Sequence, residues 1–420
     1  MTSKIIVNNI EADAGVSTVT FNSKVASSEF VGNVTGNLTG DATGLSGSPT
    51  LSGITSVSTT NLTVNGNAYP ATGPLSNRNL IINGAMQVAQ RGTSFAGLTA
   101  ASYVIDRFDL YITTGTFSAE QSTTAPSGFG NSLKVDCTAT TSLGTSGAVV
   151  LRQKFEGLNA QSIKKGTSDA QPITLSFWAR SNKTGTYISE IYDATNNRQV
   201  SKSYTINSAD TWEYKTLTFP ADTTGTLNNT NAQSIIAQFW LAAGTNFTSG
   251  TLNTTWNSVT TANRIVGQVD FGDSTSNEFY ITGVQLEVGS VATPFEHRSY
   301  GDELARCQRY YAVLGTSAQP SPCPVFSRAS NTKVMGIDLP VPMRTTPTVG
   351  TAGNVRILRG GSFADSNSSM TIDSVTPTIY LGGSMTRLSI WWSSNLTSVT
   401  NSANEVYGGF SGGMAFSAEL

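Results

Sequence analysis

The chain has 420 residues, of which 12% are charged and 38% hydrophobic, and its formal net charge is −2. A small net charge with plentiful β-branched and aromatic residues disfavours both intrinsic disorder and a helical enzyme, and favours extended β-structure. No dense Lys/Arg run indicates a nucleic-acid partner, and no stretch of about 18 apolar residues indicates membrane insertion.

The amino terminus and the cysteines support two further expectations. The amino-terminal residues 1–9 lack the apolar core and cleavage site of a signal peptide, so we expect synthesis in a cytoplasm. The three cysteines, Cys137, Cys307 and Cys323, form an odd and scattered set that does not predict a disulfide framework. Buried free thiols are favoured, and a Cys307–Cys323 bridge is the alternative.

A four-residue repeat occupies residues 32–47. Gly32-Asn33-Val34-Thr35 is followed by Gly36-Asn37-Leu38-Thr39 and Gly40-Asp41-Ala42-Thr43, and the last unit has decayed. One small apolar residue per unit cannot close a core within one chain, but three chains wound about an axis could place Val34, Leu38 and Ala42 inward. The alternative is a flexible Gly-rich linker. We therefore predict an anchoring, trimeric β shaft over residues 1–77.

Residues 78–296 are predicted to form one large β-domain. Short strands, frequent turn residues and almost no helical period are typical of a jelly-roll β-sandwich. The strand candidates are Asn79–Asn83, Phe108–Ile112, Ser132–Cys137, Ala148–Lys154, Ile173–Arg180, Tyr187–Tyr192, Tyr204–Ile206, Trp212–Phe219, Ile235–Leu241, Ile265–Val269 and Glu278–Glu287.

The remainder of the chain divides into a linker and a smaller domain. Residues 302–311 give the one good helical pattern, with Gly301-Asp302 as its cap, and the linker helix is assigned to 297–311. Residues 312–420 return to strand patterns and predict a second β-sandwich-like domain. Within it, residues 359–370 and 393–405 are predicted to be loops.

The large domain resembles a known family. The segments Asn77–Gly92, Asp106-Arg107-Phe108, Leu175–Arg180 and Gly283–Ser290 with Ala292–Glu296 are similar, in this order, to landmarks of a jelly-roll module common in bacteriophage tail fibres and other virion proteins. The helix Glu303–Tyr311 usually follows in that family. The Gly-Asn-Val-Thr repeat also resembles the amino-terminal part of many marine-phage fibre proteins.

The resemblance implies a carbohydrate-binding-module-like fold, which does not by itself establish sugar binding. Jelly-roll modules of this type often hold one structural calcium ion through carboxylates and backbone carbonyls. Asp106, Asp109, Glu156 and Glu287 are carboxylates that could structure the sandwich, and the alternative for each is a solvated surface position. No other cofactor is expected.

The sequence does not predict a catalytic site. His297 is the single histidine, so a His-based zinc site or a Ser-His-Asp triad would depend on it alone, and an inter-domain polar contact is favoured. Glycosidic cleavage needs only two carboxylates, but no motif marks a pair among the 27 Asp and Glu residues.

Aromatic side chains are the residues that could stack on a sugar ring. Trp178 and Trp240 sit among apolar strand neighbours and are predicted to lie in the core, whereas Trp256 lies in a polar segment. Trp391 and Trp392 are adjacent on a strand, so they face opposite ways. With Phe363 in the 359–370 segment, the candidates for glycan contact are Trp256, Trp391, Trp392 and Phe363.

These observations predict an all-β, non-enzymatic, homotrimeric tail fibre of a bacteriophage. It would be made in the bacterial host cytoplasm and assembled into the virion through its amino-terminal segment, which would bind other tail or virion proteins. Its distal β-domain would contribute to recognition of a host cell-surface glycan. The alternatives are a purely structural fibre or decoration of the capsid, collar or tail tip, and a glycan-cleaving tailspike.

Overall fold

The computed structural model describes backbone and side chains for residues 76–140, 142–314, 338–348 and 415–420, and further strands of backbone between residues 62 and 414. Within these residues the fold is all-β, as predicted. The repeat, with Val34, Leu38 and Ala42, lies outside the described residues, so the shaft stays a prediction. A hairpin of β1 (Leu62–Val64) and β2 (Asn67–Tyr69) precedes the large domain.

Two antiparallel sheets form a sandwich in the large domain. The seven-stranded sheet has the order β14-β11-β10-β13-β8-β5-β4 and the six-stranded sheet the order β12-β9-β15-β7-β6-β3. The strands are β3 (Ser94–Leu98), β4 (Ser102–Tyr103), β5 (Asp109–Ile112), β6 (Thr116–Ser122), β7 (Ser132–Ala139), β8 (Ala148–Glu156), β9 (Ile173–Ser181), β10 (Gly185–Asp193), β11 (Arg198–Ile206), β12 (Glu213–Phe219), β13 (Gln233–Ala243), β14 (Asn257–Ser258) and β15 (Glu278–Val288). Two four-residue helices, α1 (Gly157–Ala160) and α2 (Thr245–Thr248), lie in connections.

The main core lies between the two sheets, because alternate residues of each strand point inward. Leu175 and Phe177 of β9 meet Phe239 of β13, and the rings of Phe177 and Phe239 pack edge to face with centroids 5.1 Å apart. Trp178 therefore faces outward, and its predicted place in the core is wrong. Two adjacent apolar residues, Phe177 and Trp178, left the inward face ambiguous in the sequence.

Two of the predicted strands are absent from the described structure. Asn79–Asn83 forms bends and turns, because Asn79 Oδ1 accepts hydrogen bonds from the backbone N–H groups of Ile81 and Leu286, and Asn83 adopts a φ of 62°. Asparagine side chains that bond backbone groups compete with strand pairing. Ile265–Val269 forms a turn at Gly267, which has a φ of 92°.

Helix α3 (Tyr300–Gln308) begins two residues earlier than predicted. Ser299 is its N-cap, because the Ser299 hydroxyl accepts a hydrogen bond from the Asp302 N–H. Cys307 and Tyr310 pack with Ile82 and Val88 of the large domain, so the helix belongs to the same packed body. Cys137 and Cys307 are buried free thiols, and burial raises the pKa of both.

The chain leaves this body after β16 (Tyr311–Leu314) and returns beside it at β25 (Met414–Ser417), and Arg344 and β19 (Thr348–Thr351) in between also contact the body. After α3, β16 pairs with β25, which also pairs with β19. Two further sheets have the orders β17-β18-β23-β22 and β21-β20-β24. Their strands are β17 (Val325–Ala329), β18 (Thr332–Met343), β20 (Asn354–Arg359), β21 (Ser362–Asp365), β22 (Thr371–Leu381), β23 (Ser384–Ser393) and β24 (Glu405–Ser411). Residues 315–413 are therefore an excursion whose two ends are neighbouring strands.

Candidate functional site

A row of polar side chains crosses the outer face of the seven-stranded sheet. The cross-strand partners run from Ser201 through Glu190, Gln238 and Arg152 to Asp109, one residue from each of five neighbouring strands. Directly paired residues project to the same face, so these side chains form one line of roughly 19 Å at the usual strand spacing. We call this line the polar row.

Two ion pairs fix the polar row on either side of its centre. Arg152 Nε donates to Asp109 Oδ2 at 3.0 Å, and Arg264 donates to both carboxylate oxygens of Glu190 at 2.8 and 2.7 Å. Glu190 also accepts a bond from Trp240 Nε1 at 3.1 Å. Because planar guanidinium–carboxylate contacts are directional, both arginines are held in place without a ligand.

Gln238 occupies the centre of the polar row. Its side chain is 5% exposed, and within the described residues its amide has no hydrogen-bond partner. Its amide atoms are not sealed from solvent, so a ligand carrying hydroxyl groups could bond them in place of water. Gln199 and Ser201, at the end towards β11, are fully buried and likewise lack side-chain partners among the described residues.

Two tyrosines flank the polar row. Tyr111 lies on β5 beneath the Arg152 guanidinium, which is 4.3 Å from its ring centroid. Tyr192 lies on β10, and the Arg264 guanidinium is 5.5 Å from its ring centroid. Both rings are half-buried, so each presents part of an apolar face beside hydrogen-bonding groups. This combination suits sugars, which have apolar ring faces and polar edges.

The two ends of this face are covered by other parts of the chain. Residues 244–269, which we call the cap, pack Phe247 and Ile265 against Trp240, leaving Trp240 2% exposed. Trp240 is therefore buried, as predicted, although under the cap and not between the sheets. Towards β4, Tyr103 Oη and Lys154 Nζ both donate to the carbonyl oxygen of Leu420. The polar row thus lies between the cap and the contacts that Tyr103 and Lys154 make with Leu420.

The residues predicted for glycan contact lie elsewhere. Trp256 precedes β14, and its ring is half-buried against the main core with its Nε1 donating to the Pro220 carbonyl at 2.8 Å. Trp391 and Trp392 lie on β23, and Phe363 lies on β21, paired with β20, and not in a loop as predicted. The structure does not describe the side chains of Trp391, Trp392 and Phe363, nor most of residues 393–405. Glycan contact by Trp256, Trp391, Trp392 and Phe363 therefore stays a prediction.

The four singled-out carboxylates are buried and structural, and the solvated alternative is wrong for each. Asp106 accepts bonds from Gln90 N and Nε2, both at 2.6 Å, and Glu156 accepts two from Arg309, both at 2.7 Å. Glu287 accepts bonds from the Thr293 backbone and hydroxyl. Burial raises the pKa of Asp106 despite the nearby Arg91. In the described ranges, no three His, Cys, Asp or Glu residues are grouped as a metal site.

Five residues on this face were not predicted as site residues from the sequence: Tyr111, Arg152, Glu190, Tyr192 and Gln238. A usable signal was present, because Arg152 and Gln238 alternate with apolar residues inside strands that were predicted correctly. What the sequence did not supply was the register that aligns them.

No described helix is long and apolar enough to cross a membrane.

Comparison with known proteins gives structural neighbours only at low similarity. No protein-family model matches the chain, and no curated protein matches its sequence. The enzymatically active domain of tailspike protein 4 of bacteriophage CBA120 is 15% identical with a TM-score of 0.26 over 52% of this chain, which spans 24% of that domain.

Two carbohydrate-binding modules are also among the neighbours. A family 11 module from Clostridium thermocellum, in complex with a mixed-linked tetrasaccharide, is 14% identical over 49% of this chain and 99% of its own, with a TM-score of 0.25. A xylan-binding domain from Paenibacillus barcinonensis is 7% identical over 47% of this chain and 94% of its own, with a TM-score of 0.23.

Proposed function

We propose that the protein is a non-catalytic, glycan-binding virion protein of a bacteriophage, in which the glycan lies along the polar row. The observation that carries this proposal is the Gln238 amide, which lacks a described partner and lies between two pre-paired arginines and two half-buried tyrosines. Sugar hydroxyls would bond Gln238 and Arg152, while ring faces would contact Tyr111 and Tyr192.

Binding is favoured over cleavage by the spacing of the carboxylates in the polar row. Glu190 and Asp109 are three strands apart, which is about 14 Å, whereas glycosidases place their two carboxyl groups about 5–9.5 Å apart. Each is also held by an arginine. On the six-stranded sheet, Glu278 and Asp136 are cross-strand partners. Burial raises the pKa of Glu278, but hydrogen bonds from Lys134 and Tyr280 outweigh it and lower that pKa, which is unsuited to a general acid.

The virion role extends this proposal to assembly. The repeat at 32–47 and the family resemblance support a homotrimer whose amino-terminal segment docks on other tail or virion proteins. Three copies would strengthen a weak, shallow glycan contact through avidity. The excursion 315–413 is the part we propose to be distal, since both of its ends leave the jelly-roll body at the β16–β25 pair.

The experiment is affinity electrophoresis of the full chain in gels containing mixed-linkage β-glucan, xylan, β-1,4-galactan or polysaccharide from candidate host cells. Retardation by one of them is expected. Gln238→Ala and Tyr111→Ala should each weaken the retardation and raise the apparent Kd about tenfold. Gln171→Ala, which removes a half-buried residue whose side-chain amide donates to the Asp169 carbonyl in the same loop, is the matched control. If the Gln238 and Tyr111 variants are retarded as strongly as the parent, the polar row is not the site. Release of oligosaccharides would instead support a tailspike.

A further inference from the structure

The opposite sheet carries an aromatic platform. Trp178, Tyr214 and Tyr280 project from the outer face of the six-stranded sheet, and Trp212 lies beside them just before β12. The centroids of Trp178 and Tyr214 are 5.3 Å apart, and those of Trp212 and Tyr280 are 6.2 Å apart. We define the aromatic platform as these four residues.

The aromatic platform is both accessible and rigid. Tyr214 is 46% exposed, one of the three large apolar side chains that are most exposed in the described part of the chain, and Trp178 and Trp212 are half-buried. The neighbours of Trp178 along β9, Phe177 and Ala179, are fully buried in the main core. The strand therefore fixes the ring positions, so a ligand would pay little conformational entropy to order them.

Polar groups border the rings. Arg180 Nε donates to the Asp210 carbonyl at 2.9 Å, its Nη2 donates to Asp210 Oδ1 at 3.0 Å, and its guanidinium lies 4.8 Å from the Tyr280 centroid. The Asp210 side chain is 54% exposed, and the exposed Thr216 lies two residues after Tyr214 on the same face of β12. The border thus offers donors and acceptors while Arg180 and Asp210 neutralise each other.

The size of the aromatic platform fits a sugar better than a protein. An aromatic side chain has about 150–250 Å² of surface. Three partly exposed rings therefore expose on the order of 200–300 Å², against about 800 Å² per partner in a stable protein interface. Flat rings bordered by a mutually neutralised ion pair and a threonine hydroxyl match one or two pyranose rings.

We propose that the aromatic platform is a second glycan-binding surface that takes neutral sugars by stacking on Tyr214 and Trp178. It lies on the sheet opposite the polar row, so one jelly roll would hold two glycan segments on opposite faces. A trimer would then present six sites, which multiplies avidity without new contacts. The inference rests on the proposed glycan recognition but not on the polar row, because no residue is shared.

Isothermal titration of the full chain with xylo-, mixed-linkage gluco- and galacto-oligosaccharides tests the proposal by stoichiometry. Two sites per chain are expected in the parent and one in Tyr214→Ala, with the affinity at the lost site reduced at least about tenfold. Gln238→Ala should keep the site that Tyr214→Ala loses. Tyr300→Ala, which removes a 56% exposed tyrosine on α3, is the matched control and should keep both.

The outcomes separate the two sites. A single site that Gln238→Ala removes and Tyr214→Ala leaves intact overturns the platform and keeps the polar row. The reverse pattern keeps the platform and overturns the polar row, and no binding by the parent overturns both. A change of oligomeric state in Tyr214→Ala, measured by light scattering at unchanged stoichiometry, would make the platform a contact with a second copy and overturn the proposal.

Discussion

Arg107 and Glu419 form an ion pair although 312 residues separate them along the chain. The Arg107 side chain is 1% exposed; its Nη2 donates to the Lys154 carbonyl at 2.6 Å and its guanidinium lies 3.4 Å from the Tyr310 ring centroid. One side chain thus connects the sandwich, Tyr310 two residues after α3, and the segment that returns from the excursion. The carboxylate opposite a buried guanidinium should therefore be important for stability.

Glu419→Ala should destabilise the protein by about 3–5 kcal/mol, because it leaves the buried Arg107 charge without its carboxylate. Urea unfolding followed by tryptophan fluorescence measures this change. Glu120→Ala, which removes a half-exposed carboxylate 3.8 Å from Lys134, is the control and should cost less than about 1 kcal/mol. Equal costs for the two variants would show that Arg107 does not depend on Glu419.

Removing everything after Ser299 should unfold or strongly destabilise the large domain. Glu156 would lose Arg309, Arg107 would lose Glu419, and the pocket around Ile82 and Val88 would lose Cys307. Circular dichroism and thermal unfolding of the truncated chain provide the measurement. Cooperative unfolding at the parental Tm would contradict the packing described above.

Excision of residues 315–413 is a second deletion, to be compared with the truncation after Ser299, that removes the excursion but keeps α3 and the carboxy-terminal residues. Leu314 and Met414 are direct antiparallel partners, so an Asn-Gly turn can join them as a hairpin. This variant keeps α3 and Glu419 but loses β19, which pairs with β25, and Arg344, which donates to the carbonyls of Ala418 and Glu419. We expect a folded protein with a Tm below the parent and above the truncation. If it blocks adsorption of phage to cells as well as the parent does, recognition lies in the jelly roll.

Stability should depend on pH through Asp222. Burial raises the pKa of the Asp222 carboxyl, but hydrogen bonds from Arg198 and Lys165 outweigh it and leave that pKa below its ordinary value. A carboxyl whose pKa is lowered by folding adds stability above its unfolded pKa, about 3.9, and loses it as pH falls through the folded pKa. Asp222→Asn should therefore be less stable than the parent at pH 7, and the difference should shrink towards pH 2. A difference that urea unfolding finds constant with pH would refute this assignment.

Leu38→Asp tests the proposed shaft. If three copies place Leu38 on a common axis, three carboxylates would meet there and repel one another. We expect the parent to be a trimer by light scattering and the variant to dissociate more readily on dilution. Asn37→Asp, one residue away, adds the same charge outside the predicted apolar positions and should leave the trimer intact. A parent that is monodisperse and monomeric would refute the shaft.

Period-two alternation determined most of the sandwich from sequence alone. Ile173–Arg180, Tyr187–Tyr192 and Glu278–Glu287 were predicted as strands and lie within β9, β10 and β15. Alternation works there because inward positions are apolar whatever the partner strand. It failed at Asn79–Asn83, where apolar residues suggest a strand but asparagine side chains bond the backbone instead.

The candidate sites were decided only by the tertiary structure. Gln238 and Arg152 become neighbours through the register of β13 on β8, and sequence does not encode register locally because one residue of slip reverses every face. The outward position of Trp178 depends on which sheet covers Phe177. The pairing of Arg107 with Glu419 depends on the chain returning beside its own exit strand, a long-range contact that no local pattern contains.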